Sequence, residues 1–186
     1  MYELIVLSLL SRGATHGYVI SSVINDVVGP IARASNGRVY PLLTKLEEDG
    51  QIEVQAEDRS EGGRVSRTFA ITPSGRARFR QLMLDTTSSP REYREVFSFK
   101  VTAFDQIERS DRVALLEHYV EFARAHVRHL ELQGRDLATS SSYGHSAAQR
   151  ARFSSVFAHL VSGWEREVAW ATKMLSAEKK TRRSPR

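Results

Sequence analysis

Apolar residues crowd the first ten positions: Tyr2, Leu4, Ile5, Val6, Leu7, Leu9 and Leu10 leave almost no polar face. That pattern predicts a short helix buried inside a domain, closed at Ser11-Arg12-Gly13. Next, Val19, Ile20, Val23, Ile24 and Val27 recur at helical spacing; Thr15 is placed to cap this second helix and Gly29-Pro30 to stop it. Val39, Leu42, Leu43 and Leu46 form the apolar stripe of a third helix, with Ser35 or Asn36 as N-cap and Asp49-Gly50 as its end. Pro41 removes a backbone donor, so the regular part of this helix is expected to begin near Arg38.

The period then switches from helical to alternating. Ile52, Val54 and Ala56 alternate with polar residues, a charged turn runs from Asp58 to Arg64, and Val65 to Thr72 is rich in β-formers, which predicts a hairpin. Helix, helix, helix, hairpin within about seventy residues is the layout of a winged helix-turn-helix, whose third helix enters the major groove while the hairpin forms the wing. Thr72-Pro73 reads as an N-cap and first helical residue of a fourth helix to about Thr86, broken by Ser88-Ser89-Pro90. A helix is expected over Tyr93 to Phe104, and Ser110 caps a long one.

On that long helix Val113, Leu116, Val120, Ala123, Val127 and Leu130 follow 3-4 spacing, as do Phe157, Val161, Trp164, Val168, Ala171 and Leu175 near the end of the chain. Two such seams predict a helical bundle or antiparallel coiled coil, with Thr139 to Ser146 as the connecting loop. They have two uses, an intramolecular core or a dimer interface, and dimerisation through Val113, Leu116, Val120, Phe157, Val161, Trp164, Val168 and Leu175 is expected. The fold class is therefore mainly α with a small β-hairpin wing. Residues 1–86 form the winged helix-turn-helix, 87–178 a helical dimerisation and effector domain, and 179–186 a basic disordered tail.

Charge changes the picture less than its total suggests. The net charge is +5, yet residues 1–85 carry ten Lys/Arg against ten Asp/Glu and residues 86–178 twelve against twelve. The whole excess lies in Lys179, Lys180, Arg182, Arg183 and Arg186, which read as a solubilising tail rather than a DNA arm. The case for DNA must come from local pattern. There is no cysteine, which excludes disulfides, thiol catalysis and thiolate zinc sites. No apolar run is long enough to span a bilayer and the start lacks the layout of a secretory signal, so a cytoplasmic location is expected.

Opposite its apolar stripe the third helix presents Gly37, Pro41, Thr44 and Glu48, flanked by Tyr40, Arg38 and Lys45. Arg38, near the N-terminal end, suits guanine O6 and N7, whereas Lys45 and Tyr40 suit phosphates. Ser35, Asn36 and Thr44 belong to the same candidate surface. Arg59, Arg64 and Arg67 surround Gly62-Gly63 at the wing, with Glu57, Asp58 and Glu61 among them. The bland alternative for both features is a solvated helix face and a solvated turn. Phe97, Phe99, Tyr119, Phe122, Trp164 and Trp170 are candidates for a pocket taking a small planar effector, with core packing as their commoner use. His126 and His129, one helical turn apart, lack a third ligand and are read as solvated, so no metal and no cofactor is expected. Ser140, Ser141 and Ser142 lack a Gly-x-Ser-x-Gly context, and no catalytic set is visible, so the chain is not read as an enzyme.

Three segments together carry a resemblance. His16-Gly17-Tyr18-Val19-Ile20, the run from Gly37-Arg38-Val39-Tyr40-Pro41-Leu42-Leu43 through Leu46-Glu47 and Gly50 to Ile52, and Gly63-Arg64 through Arg67, Phe69, Ile71-Thr72-Pro73 and Gly75-Arg76 resemble, in order, the signature elements of the PadR family of bacterial regulators. The resemblance covers residues 4–80 and, less specifically, a branch with a longer helical C-terminal domain. It implies a homodimeric regulator, usually a repressor, on a palindromic operator and released by a small ligand. It also implies phosphate contacts from Tyr18, Tyr40 and Lys45 and a wing role for Arg64 and Arg67. Arg38 stands where the family commonly has Ser or Thr, which implies a different operator preference, and Thr68 and Ala70 replace a more aromatic and basic wing strand. The rival reading, favoured by Glu47, Glu48 and Asp49 beside the reading helix, is a winged-helix protein-interaction scaffold without DNA binding.

Overall fold

The computed structural model describes residues 1–28, 36–59, 65–87, 90–139 and 146–180. In chain order these are α1 (Tyr2–Arg12), β1 (Thr15–His16), α2 (Gly17–Val28), α3 (Asn36–Glu48), β2 (Ile52–Arg59), β3 (Val65–Ile71), α4 (Pro73–Leu84), α5 (Pro90–Thr102), a 3-10 turn (Phe104–Gln106), α6 (Arg109–Thr139) and α7 (Ala147–Lys180). The fold is mainly helical with one small antiparallel sheet, ordered β1-β3-β2. The turn from Ser60 to Arg64, most of the 139–146 loop and the end of the basic tail lie outside the described residues.

Helix α1 is the centre of the first unit because it is apolar nearly all round: Leu4, Ile5, Val6, Leu7 and Leu10 are buried, joined by Ile20 and Ile24 of α2 and Val39, Leu43 and Leu46 of α3. Burying an aliphatic side chain of this size contributes about 1.5–3 kcal/mol, so the α1–α3 stripe supplies most of the drive to hold the three helices together. The end of α3 is set by Gly50 at φ 67. Its N–H donates to Glu47 O at 3.0 Å and that of Gln51 to Leu46 O at 2.8 Å, the paired bonds that turn a helix out into the next element. Strand β2 starts there.

Two sequence expectations shift in this region. The segment expected to cap α2 instead adds a third strand: Thr15 pairs with Phe69 and His16 with Thr68 of β3. Pro41 lies inside α3 rather than near its start; the helix accepts one missing donor because its buried side is held by Val39, Leu43 and Leu46. Thr72 caps α4 as expected from the sequence, its Oγ1 accepting from Gly75 N at 3.1 Å, with Pro73 in the first turn.

The chain separates into compact units Met1–Ile107 and Glu108–Arg186, later than the division at residue 86 that the winged-helix pattern suggests. The reason is α5. Its Tyr93, Val96, Phe97 and Lys100 are all buried, and the Lys100 ammonium, 1% exposed, donates to the carbonyl oxygen of Asp85, the residue that ends α4. Burial pushes the Lys100 pKa down to about 8 from 10.5, against the opposing field of Asp85. At the far end of the unit Arg12 grips Asp105 with two bonds, 2.6 and 2.8 Å, and Thr102 O with a third at 3.1 Å.

In the second unit α6 and α7 pack antiparallel along their seams. A capping box opens α7: Gln149 N donates to Ser146 Oγ at 3.2 Å and Ser146 N donates to Gln149 Oε1 at 2.8 Å. Arg112 clasps Glu178 at 3.0 and 3.1 Å, and Lys179 reaches Glu117 at 2.6 Å. The helix therefore runs to Lys180, so Lys179 and Lys180 belong to α7 and not to the basic tail, which would begin after them.

Candidate nucleic-acid interface

Helix α3 offers one face to solvent. Arg38, Tyr40, Pro41, Thr44, Lys45 and Glu48 are exposed while Val39, Leu43 and Leu46 are buried. Thirteen residues make a rod about 20 Å long, which fits a major groove about 12 Å wide. Tyr18, 61% exposed, stands on the first turn of α2, and Tyr40, 46% exposed, on α3. Gly17 explains why two aromatic rings crowd this edge: a Cβ there would sit 3.2 Å from the Phe69 ring, 3.5 Å from Tyr40 and 3.6 Å from Leu43. The start of α2, α3 and β3 converge on that small residue.

His16 was not singled out as a functional residue from the sequence, and it completes the edge. Its ring stacks on Tyr18 at 5.4 Å and 17°, and its Nδ1 is 2.9 Å from Thr68 Oγ1 and 3.4 Å from Ser66 Oγ. The strand pairing of β1 and these hydroxyl contacts fix Tyr18 relative to the wing. A hint lay in the His16-Gly17-Tyr18 element, but the β1–β3 pairing behind it joins residues about fifty positions apart and leaves no local signal.

Arg67 sits differently from its expected role as a cation on a flexible wing. It lies within β3, where its two terminal nitrogens meet Glu47 Oε1 at 3.1 Å and Oε2 at 3.3 Å, its Nε lies 3.8 Å from Glu57, and its guanidinium carbon is 5.6 Å above the Phe69 ring. Ser35 and Arg64 lie outside the described residues, and Asn36 is described in its backbone only.

The six aromatic residues grouped as one effector pocket fall in separate units. Phe97 is buried beside Tyr93 and Phe104, because its side of α5 faces the core. Phe99, on the other side of α5, lines a groove of about 670 Å³ with Met1, Val27, Arg94, Glu95, Ser98 and Thr102. Tyr119, Phe122, Trp164 and Trp170 pack against one another in the second unit, with ring centroids 5.7–6.2 Å apart, and Tyr119 donates to Glu167 at 2.8 Å. His126 is not solvated as expected: it stacks on Trp164 at 4.2 Å and donates from Nδ1 to Phe122 O at 3.0 Å.

Of the eight seam residues, Leu116 and Val120 are buried within one chain, while Val113, Phe157, Val161, Trp164, Val168 and Leu175 are half-buried. The 3-4 pattern is thus used at least partly inside the hairpin, the alternative the pattern itself could not exclude. Leu132, Val156 and Leu160 remain exposed outside that seam.

Residues 6–81 match the profile of the "Transcriptional regulator PadR-like family". Over 179 residues, 92% of this chain and 93% of the relative, the sequence is 24% identical to the negative transcriptional regulator PadR of Bacillus subtilis (strain 168). Among solved structures, the chain is similar to Bacillus subtilis PadR in complex with operator DNA, at 19% identity and a TM-score of 0.42, over 94% of this chain and 96% of that one. It is also similar to the virulence activator AphA of Vibrio cholerae, at 22% identity and a TM-score of 0.39, over 97% and 99% of the two chains.

Proposed function

We propose that this chain, which belongs to the PadR-like family of transcriptional regulators, is a homodimeric repressor that reads a palindromic DNA operator through α3. One observation carries the reading. The same helix that buries Val39, Leu43 and Leu46 leaves Arg38, Thr44 and Lys45 exposed along one side, with Tyr18 and Tyr40 at its margin. In this reading Arg38 reads a base edge and Thr44 lies on the same face, Tyr18, Tyr40 and Lys45 hold phosphates, and Ser35, Asn36 and Arg64 are contact candidates by their sequence positions. Repression is supported by the relative from Bacillus subtilis, a negative regulator.

Dimerisation sets two copies of α3 about 34–36 Å apart, one turn of DNA. The apolar side chains that the hairpin leaves exposed, Leu132, Val156 and Leu160, supply the surface, together with the half-buried part of the predicted seam. A small planar ligand releases the protein by stacking on Phe99 in the α5 groove, where Arg94 supplies a cation.

Selection of duplexes from a random pool by the full chain, with its mass measured in the same buffer, tests this reading. Recovery of an inverted repeat by a dimer is the expected result. A folded protein that enriches no duplex at low salt overturns it and favours the scaffold reading, which the run Glu47-Glu48-Asp49 at the end of α3 supports. Salt separates the two, since several phosphate contacts must weaken steeply as salt rises.

A further inference from the structure

We propose that Arg67 is a positioning residue that interlocks the wing with the reading helix, and that it does not itself bind DNA. The inference rests on the DNA-binding reading above and departs from it at this one side chain.

The terminal fork and one face of the Arg67 guanidinium already have occupants, and the Nε edge lies 3.8 Å from Glu57, close enough for charge attraction but not for a hydrogen bond. The terminal fork faces both oxygens of Glu47 on α3, the Nε edge faces Glu57 on β2, and the planar face lies over Phe69. Arg67 and Phe69 are two apart on β3 and so share a face of the strand; Phe69 is buried, which anchors that face in the core. A single side chain therefore ties together a helix and both strands of the hairpin. A phosphate could take the fork only by displacing a carboxylate from a bidentate pair, the geometry in which Arg binds most specifically.

The sheet is built to make this contact. Ile52, Glu53 and Val54 pair with Ile71, Ala70 and Phe69, after which the register slips by one residue, so that Ala56 faces Thr68 and Glu57 faces Arg67. Gln55 is the extra residue. Without that bulge Ala56 would stand opposite Arg67 and the second carboxylate would be lost. Bulges re-aim side chains and terminate simple pairing; this one delivers a charge to the wing side of the guanidinium while Glu47 holds the helix side. The wing then keeps a fixed tilt against α3, and the DNA contacts of the two elements keep their spacing.

The interlock separates from a phosphate contact by what lysine can replace. Lysine serves a phosphate as a point charge but cannot reproduce a planar fork seated on a ring. The test measures affinity for the selected duplex and for a scrambled one, across salt concentrations, for the parent, Arg67→Lys, Glu47→Gln and the double variant, with circular dichroism melts confirming that each is folded. An interlock weakens selected-duplex binding by about tenfold in Arg67→Lys. The salt slope and the scrambled-duplex affinity stay unchanged, and Glu47→Gln adds little on top because both changes break the same pair. The idea is refuted if Arg67→Lys binds like the parent, or if Glu47→Gln tightens both duplexes by removing a repulsive charge. A parent that enriches no duplex refutes the DNA reading itself; a parent that binds, with Arg67→Lys unaffected, refutes only the interlock.

Discussion

Replacing Gly75 by alanine should unfold the first unit early while leaving the second untouched. Gly75 lies in the first turn of α4, and a Cβ built there would stand 2.0 Å from the Gln51 carbonyl oxygen and 2.7 Å from Ile71 Cγ1. A carbon–oxygen contact settles at about 3.3 Å, so the helix start must retreat from Gln51 by roughly 1 Å. That retreat strains the bonds of two donors: Thr72 N to Gln51 O at 3.0 Å, and the single Thr72 hydroxyl proton shared between Gly50 O at 2.7 Å and Gln51 O at 3.1 Å. At about 1 kcal/mol each, with 1–3 kcal/mol of overpacking and about 1 kcal/mol returned by the better helix propensity of alanine, the net loss is about 3 kcal/mol. For a unit of this size that lowers the midpoint by roughly 10–20 °C. Both tryptophans, Trp164 and Trp170, lie in the second unit, so their fluorescence reports that unit alone, whereas far-ultraviolet circular dichroism reports both. The expected result is an early circular dichroism transition with the tryptophan transition unmoved. A Gly75→Ala variant melting within 2 °C of the parent, as a penalty below about 0.5 kcal/mol would give, would refute the argument that α4 is set on the start of β2 by close backbone approach.

Three further outcomes follow from the same geometry. Arg38→Ala should relax base preference at one position of the selected duplex, whereas Lys45→Ala should weaken all duplexes about equally and lower the salt slope by about one; two variants that bind like the parent would remove α3 as the reading element. Lys100 binds its proton more weakly folded, near pH 8, than unfolded, near 10.5. Between those values the unfolded chain holds more protons, so the first unit should gain stability as pH rises from 8 towards 10, and Lys100→Met should flatten that rise in circular dichroism melts. The window closes near 10 because Tyr93, its pKa pushed up to about 12 by burial, then acts in the opposite sense; a parent whose stability falls from pH 8 to 10 would contradict the account. Ser146→Ala breaks the capping box of α7 and should cost about 1 kcal/mol, read as a lower midpoint in tryptophan fluorescence and not in the first-unit transition.

Where the sequence was legible, the reason was local periodicity. The α1 to α3 stripes, the alternating hairpin and the Thr72-Pro73 start of α4 all depend on neighbours within one or two turns, and each element formed. The two-residue strand at Thr15 and His16 was hidden because its partners, Phe69 and Thr68, are far along the chain and because it runs straight into a helix. Arg67 was visible as a cation near Gly62-Gly63, but Glu47 reaches it from a different element and Glu57 faces it only because of the bulge at Gln55, and a one-residue register slip is not written in alternation alone. The 3-4 seams on α6 and α7 were read correctly as helix pairing, yet the same spacing serves a partner in the chain or in a second copy. Nothing in the local pattern marks Lys100 for burial, and only the end of α4 beside it explains it. His126 was likewise judged by its spacing to His129, when its neighbour across the hairpin is Trp164.

The carboxylates around the reading helix also bear on how such a regulator is distributed in a cell. A chromosome offers on the order of 10⁶ or more competing sites, and a protein is held on them by unspecific attraction to phosphates. With Arg67 occupied by Glu47 and ten basic residues matched by ten acidic ones over residues 1–85, the net charge of that segment adds nothing to the attraction, which then rests on the individual phosphate contacts proposed above. Under the proposed function few molecules are lost to random DNA, so a low copy number is enough to occupy an operator. The same neutrality shortens each sliding excursion, and the search relies more on three-dimensional diffusion than on travel along the duplex.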